Sequence, residues 1–146
     1  MQKISKKTED TEQIVKGFLF SLKPISKKAT IIGLYGDLGT GKTTFVQYFA
    51  KNLGIEKKVN SPTFVIMRRY VLKNKNFENL FHLDAYRLKN ERELLHLGWE
   101  EVISNPKHLV CVEWPEKIKK AIPKKHYQIH ISHTKEGHRK FKIKKA

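Results

Sequence analysis

The run Gly36-Asp37-Leu38-Gly39-Thr40-Gly41-Lys42-Thr43 fits G-x-x-x-x-G-K-[ST], a pattern of residue types suited to cradling the phosphates of a nucleoside triphosphate. Glycines at positions 36, 39 and 41 allow a tight turn and let backbone N–H groups come close to phosphate oxygens, where a Cβ would collide. Lys42 is placed to reach the β- and γ-phosphates, and the Thr43 hydroxyl to ligate Mg²⁺. A helix opening near Lys42 would aim its unsatisfied N–H groups and positive dipole end at the same anion.

Such a loop needs a carboxylate at the end of a neighbouring strand to hold the metal or its waters. The chain has only three aspartates, Asp10, Asp37 and Asp84. Two apolar runs end in an acid: Phe81-His82-Leu83-Asp84 and Val110-Cys111-Val112-Glu113. Glu113 follows the more continuous run and takes the place of a Walker B acid. Asp84 is the second candidate, as metal ligand, base or water-positioning group, and spacing alone does not decide between them. Ser61-Pro62-Thr63 lies in the loop where GTPases keep a γ-phosphate-sensing switch, so Thr63 is a candidate phosphate or Mg²⁺ contact. Trp114 follows Glu113 and either covers the nucleotide or fills the core. D-x-x-G and N-K-x-D, the guanine-nucleotide signatures, do not occur.

The elements that must position these residues can be read from periodicity. Thr30–Tyr35 reads as a short buried strand before the loop, and Thr44–Leu53 as a helix after it, closed by Gly54. Residues 8–22 carry a helical apolar stripe (Ile14, Val15, Phe18, Leu19, Leu22), with Thr8 or Thr11 as its cap. Phe64–Leu72 and Phe77–Leu83 read as strands joined by Lys73-Asn74-Lys75-Asn76, hence antiparallel. Residues 91–97 and 99–103 predict short helices broken at Gly98. Leu109–Glu113 predicts a buried strand, Pro115–Ile122 a short helix, and Tyr127–His133 with Arg139–Lys144 a terminal hairpin. His126, His130 and His133 do not share one face of that strand, which argues against a metal cluster. The expected fold is α/β: a P-loop domain spanning residues 1–146, with a mixed sheet of parallel core and antiparallel hairpins flanked by helices.

Composition sets bounds on function. The chain has 146 residues and a net charge of +16, from 30 Lys+Arg against 14 Asp+Glu. The basic hairpin, about 126–145, suits a nucleic-acid partner or an assembly that holds one, although lysines are also scattered along the whole chain. No apolar segment reaches the ~20 residues of a membrane span, so no membrane partner is expected. The N-terminus shows no apolar signal region, which predicts a cytoplasmic protein. Cys111, the single cysteine, lies in an apolar run and reads as inert core.

Four blocks, Gly36 to Thr44, Ser61-Pro62-Thr63-Phe64, His82-Leu83-Asp84-Ala85-Tyr86-Arg87-Leu88 and Val112-Glu113-Trp114-Pro115, together resemble the TsaE (YjeE) family in order and spacing. The resemblance runs from about residue 8 to 140. It implies a bacterial ATPase of tRNA threonylcarbamoyladenosine synthesis, weakly active alone, which works with the TsaD and TsaB proteins on ANN-decoding tRNAs and resets that complex between rounds. Carried over residue by residue, it implies nucleotide contacts from Thr11, from the loop Gly36, Asp37, Leu38, Gly39, Thr40, Gly41, Lys42, Thr43 and Thr44, from Ser61 and Thr63, and from Trp114. It further implies Mg²⁺ at Thr43 and Glu113, with Lys42, Asp84 and Glu113 supporting hydrolysis. Glu91-Arg92-Glu93-Leu94 stands where the family carries Pro-Glu-Glu-Leu. Two other readings of the motifs are a small-molecule P-loop kinase and a basic RNA-binding module that keeps ATP as a structural ligand. The hairpin leaves direct contact with tRNA phosphates open.

Overall fold

The computed structural model describes residues 1–56, 59 and 66–145. One seven-stranded sheet runs through them: β1 (Gln2–Ser5), β2 (Thr30–Tyr35), β3 (Met67–Val71), β4 (Asn79–Asp84), β5 (His108–Glu113), β6 (Tyr127–His133) and β7 (Arg139–Lys145), in the order β1-β7-β6-β2-β5-β4-β3. The four middle strands are parallel, and antiparallel strands close both edges. This is the expected mixed sheet with a parallel core. A parallel core is buried on both faces, so the period-2 alternation of β2 and β5 divides their apolar residues between two cores.

On one face, α1 (Thr8–Ser21) and α2 (Lys42–Asn52) cover Ile32, Leu34, Leu109 and Cys111. Phe18 of α1 anchors this side, with its ring 6.1 Å from both Phe45 and Phe49 and edge-on to Tyr127 at 5.4 Å. On the other face, α3 (Arg92–Leu95), α4 (Trp99–Ser104) and a 3₁₀ helix (Pro115–Ala121) cover Ile31, Phe81, Leu83, Val110 and Val112. The short helices break at Gly98, as predicted. The expected short helix is the 3₁₀ segment Pro115–Ala121, which opens on Pro115 and kinks at Ile118.

Two details differ from the sequence reading. Neither Thr8 nor Thr11 caps α1: its N-cap is Lys7, with no side-chain cap. Thr11 is instead buried in the first turn, its hydroxyl 2.6 Å from that of Ser5. Strand β1, not foreseen, adds to the free edge of β7 through the pairs Gln2↔Lys142 to Ser5↔Arg139. Residues 64 and 65 of the expected 64–72 strand lie outside the described residues, and β3 covers Met67–Val71, leaving Ile66 and Leu72 just beyond its ends. No described helix is long and apolar enough to cross a membrane.

Candidate functional site

The loop after β2 packs closely around two of its glycines. A Cβ on Gly36 would stand 2.6 Å from both the Ile131 carbonyl oxygen and the Thr40 hydroxyl. Gly41 sits at φ +107°, closed to most side chains, and a Cβ there would lie 2.8 Å from Nη1 of Arg139. The loop also braces itself: the Thr40 N–H and hydroxyl both donate to the Asp37 carbonyl, at 3.3 and 2.9 Å. Thr40 therefore holds the turn from within, while Leu38, Gly39, Gly41, Lys42, Thr43 and Thr44 line a cleft of about 460 Å³.

Lys42 is nearly buried. Its amine donates to the carbonyls of Gly36 and, at 2.9 Å, of Asp37, and lies 4.1 Å above the Trp114 ring. Burial pulls its pKa down, while the charges of Glu113, Glu116, Asp37 and Asp84 push it back up. Trp114 itself holds φ +60° and ψ +50°. That left-handed conformation costs a bulky residue roughly 1–3 kcal/mol and is characteristic of functional sites.

β4 and β5 run parallel in register Asp84↔Glu113, so both acids singled out from the sequence stand side by side at the carboxyl end of the sheet. Both line the cleft. The Thr43 hydroxyl donates to Glu113 Oε1 at 2.9 Å, and His82 Nε2 lies 2.5 Å from Glu113 Oε2. Asp84 Oδ1 accepts the Tyr86 N–H at 3.0 Å, and the Ala85 N–H donates to the Glu113 carbonyl at 3.0 Å, tying the two strand ends together.

The donor set suits a hard cation. A hydroxyl and a carboxylate oxygen meet beside a loop whose glycines keep an anion's space open. Among the described residues no group of three or more His, Cys, Asp or Glu side chains forms a cage. Mg²⁺ needs none, since it keeps several waters and binds through one or two carboxylates together with substrate phosphates.

Ser61 and Thr63 lie outside the described residues. Thr11 does not reach the main cleft; it borders an adjoining cavity of about 230 Å³ with Ser5, Lys6 and Thr8. Arg139 lines both spaces. It escaped the sequence reading because no motif marks it. The ladder of β6 and β7 carries it to the loop through the pair His133↔Arg139. Tyr86 is a second unforeseen lining residue, its ring 5.1 Å from that of Trp114. The hairpin histidines have ordinary tasks: His126 Nε2 meets the Tyr35 hydroxyl at 3.1 Å, and His130 stacks on Tyr35 at 4.6 Å.

A glycine-rich loop joining a central parallel strand to a helix, with an acid at the end of the adjacent strand, defines a P-loop α/β domain. Comparison with known proteins narrows the class. The family model described as "Threonylcarbamoyl adenosine biosynthesis protein TsaE" matches residues 5–141. The tRNA threonylcarbamoyladenosine biosynthesis protein TsaE of Bacillus subtilis (strain 168) is 37% identical over 131 residues, which cover 90% of this chain and 77% of that protein. Its counterpart in Rickettsia bellii is 38% identical over 126 residues, covering 84% and 79%. The crystal structure of Bacillus subtilis YdiB superposes with a TM-score of 0.77 at 29% identity, covering 98% of this chain and 83% of that one. This chain belongs to the TsaE family, whose name places it in tRNA threonylcarbamoyladenosine biosynthesis.

Proposed function

We propose that this chain is a Mg²⁺-dependent ATPase that acts with the TsaB–TsaD pair to drive turnover of the threonylcarbamoyl-transferring complex in the cytoplasm. The observation that carries the reading is the meeting of the Thr43 hydroxyl and Glu113 Oε1, at 2.9 Å, beside the buried Lys42. The partner and the tRNA substrate are supplied by the family resemblance.

In this reading the loop amides and the α2 N-terminus bind the polyphosphate. Lys42 exchanges the Gly36 and Asp37 carbonyls for phosphate oxygens, and Arg139, packed on Gly41, adds a second cation to the same anion. Thr43 and Glu113 would hold Mg²⁺, whose role when bound is to neutralise charge developing on the phosphates. Asp84, beside Glu113 on the neighbouring strand, orients the attacking water. Tyr86 and Trp114 wall the cleft against bulk solvent. There is little covalent chemistry for the protein to do, so positioning and electrostatics carry the rate.

The test is phosphate release from ATP by the purified chain, alone and with a TsaB–TsaD pair, alongside a Lys42→Ala variant. Release that rises with the pair and vanishes in the variant is expected. Transfer of phosphate to a nucleoside or small alcohol would support the kinase reading instead. No turnover in the presence of the pair, with ATP still bound, would support a structural nucleotide.

A further inference from the structure

His82 has no task in the reading above, yet its position is unusual. It lies in the middle of β4, fully buried, paired with Cys111 of β5 and Arg68 of β3. Its strand neighbours Leu80, Phe81 and Leu83 are apolar core. An apolar side chain would serve the packing equally well, whereas a buried imidazole must have its polar atoms satisfied. Only one of the two is: Nε2 lies 2.5 Å from Glu113 Oε2, while Nδ1 meets no hydrogen-bond partner among the described residues.

The hydrogen-bond pattern fixes the tautomer. A carboxylate oxygen accepts, so this contact assigns the proton to Nε2 and leaves Nδ1, which meets no acceptor among the described residues, as the bare nitrogen. Oε2 of Glu113 is thereby committed to His82, and Oε1 faces the Thr43 hydroxyl at 2.9 Å. The terminal torsion of a glutamate is broad and roughly two-fold. Without a donor at Oε2, only the Thr43 hydroxyl would hold the carboxylate beside the cleft.

We propose that His82 is a positioning residue. Its Nε2–H pins one oxygen of Glu113, so that the other stands with the Thr43 hydroxyl as a preset oxygen pair for the divalent cation of a bound nucleotide. The inference rests on the metal reading of the Thr43–Glu113 pair. Outer-shell partners of this kind, when removed, cost metal affinity about 10–100-fold.

The experiment measures Mn²⁺ binding to the ADP-loaded full chain by electron paramagnetic resonance, with metal-free ADP affinity and thermal midpoint recorded alongside. His82→Phe keeps the volume and loses the donor, and should weaken Mn²⁺ about tenfold or more, with metal-free ADP binding unchanged. His82→Gln restores an N–H and should recover most of the loss. Nitrogen-15 NMR of the unmodified chain should show the Nε2–H tautomer for His82, a readout that needs no variant. Mn²⁺ affinity equal in wild type and His82→Phe would overturn the inference, as would an Nδ1–H tautomer. A parallel loss of metal-free ADP binding and thermal midpoint in both variants would reduce His82 to packing and overturn it too. Failure of the wild type to bind Mn²⁺ with ADP would instead overturn the metal reading from which the inference is built.

Discussion

Paired glycine substitutions separate two physical roles within the glycine-rich loop. Gly39 and Gly41 both hold positive φ, +79° and +107°, so alanine at either position strains the backbone by roughly 1–3 kcal/mol. They differ in what a Cβ would meet. At Gly39 nothing lies within 4 Å, whereas at Gly41 the guanidinium of Arg139 lies at 2.8 Å. An arginine tip moves cheaply, so Gly41→Ala and Gly39→Ala should lose similar stability. For a chain of this size 1 kcal/mol corresponds to about 2–5 °C in Tm, so each variant should melt several degrees lower. The guanidinium displaced by Gly41→Ala, however, no longer points into the cleft. Hydrogen bonds to charged groups are worth about 1.5–3 kcal/mol, so ADP affinity should fall about tenfold or more beyond the loss in Gly39→Ala. Calorimetric ADP titration of both variants, and of each combined with Arg139→Ala, completes the test. Once Arg139 is absent, the extra penalty of Gly41→Ala should largely disappear. If Gly41→Ala binds ADP as well as Gly39→Ala does, or if its effect adds fully to that of Arg139→Ala, the assignment of Arg139 to the phosphates is wrong.

Other outcomes follow from the same geometry. Glu113→Ala strips partners from the buried His82 Nε2–H and from the Thr43 hydroxyl at the cleft wall. It should cost about 2–4 kcal/mol in urea unfolding, and Glu113→Gln, which still accepts at one oxygen, distinctly less. Burial first, then the nearby Lys144 and Lys142, lowers the His130 pKa below its ordinary value, so the folded state takes up its proton later than the unfolded chain. Its contribution to stability is complete above the unfolded pKa near 6.5 and is lost as pH falls. His130→Gln should flatten the decline in thermal midpoint between about pH 7 and 5, and an unchanged slope would count against it. Burial likewise pushes the Cys111 thiol far above the usual range, so a thiol reagent should label the chain only after unfolding. Rapid labelling of the native chain would contradict that burial.

Much of the site is legible in the chain because it is local. Four fixed residues within a span of eight define the loop, and two apolar runs that end in acids point to Asp84 and Glu113, which the register then sets side by side. The parts that escaped reading depend on contacts far apart in sequence. Arg139 is one basic residue among many in the hairpin, and only the β6–β7 ladder singles it out. His82 sits in an apolar run that gives it no role of its own; its partner becomes visible only when β4 lies beside β5. β1 is four residues long with just Ser5 buried, too weak a pattern to announce a strand, and it forms because β7 offers an open edge. Thr11 looks like a cap by residue type, but the Ser5 hydroxyl takes it instead.

The short strand at the start of the chain has a practical consequence. Met1 and Ile143 exchange backbone hydrogen bonds at 3.1 and 2.8 Å, and Ser5 pairs directly with Arg139, the residue leaning on Gly41. Residues added ahead of Gln2 or removed from it therefore act on a strand whose other end is paired with the arginine beside the glycine-rich loop. Amino-terminal and carboxy-terminal tags load opposite strands of the same β1–β7 pair.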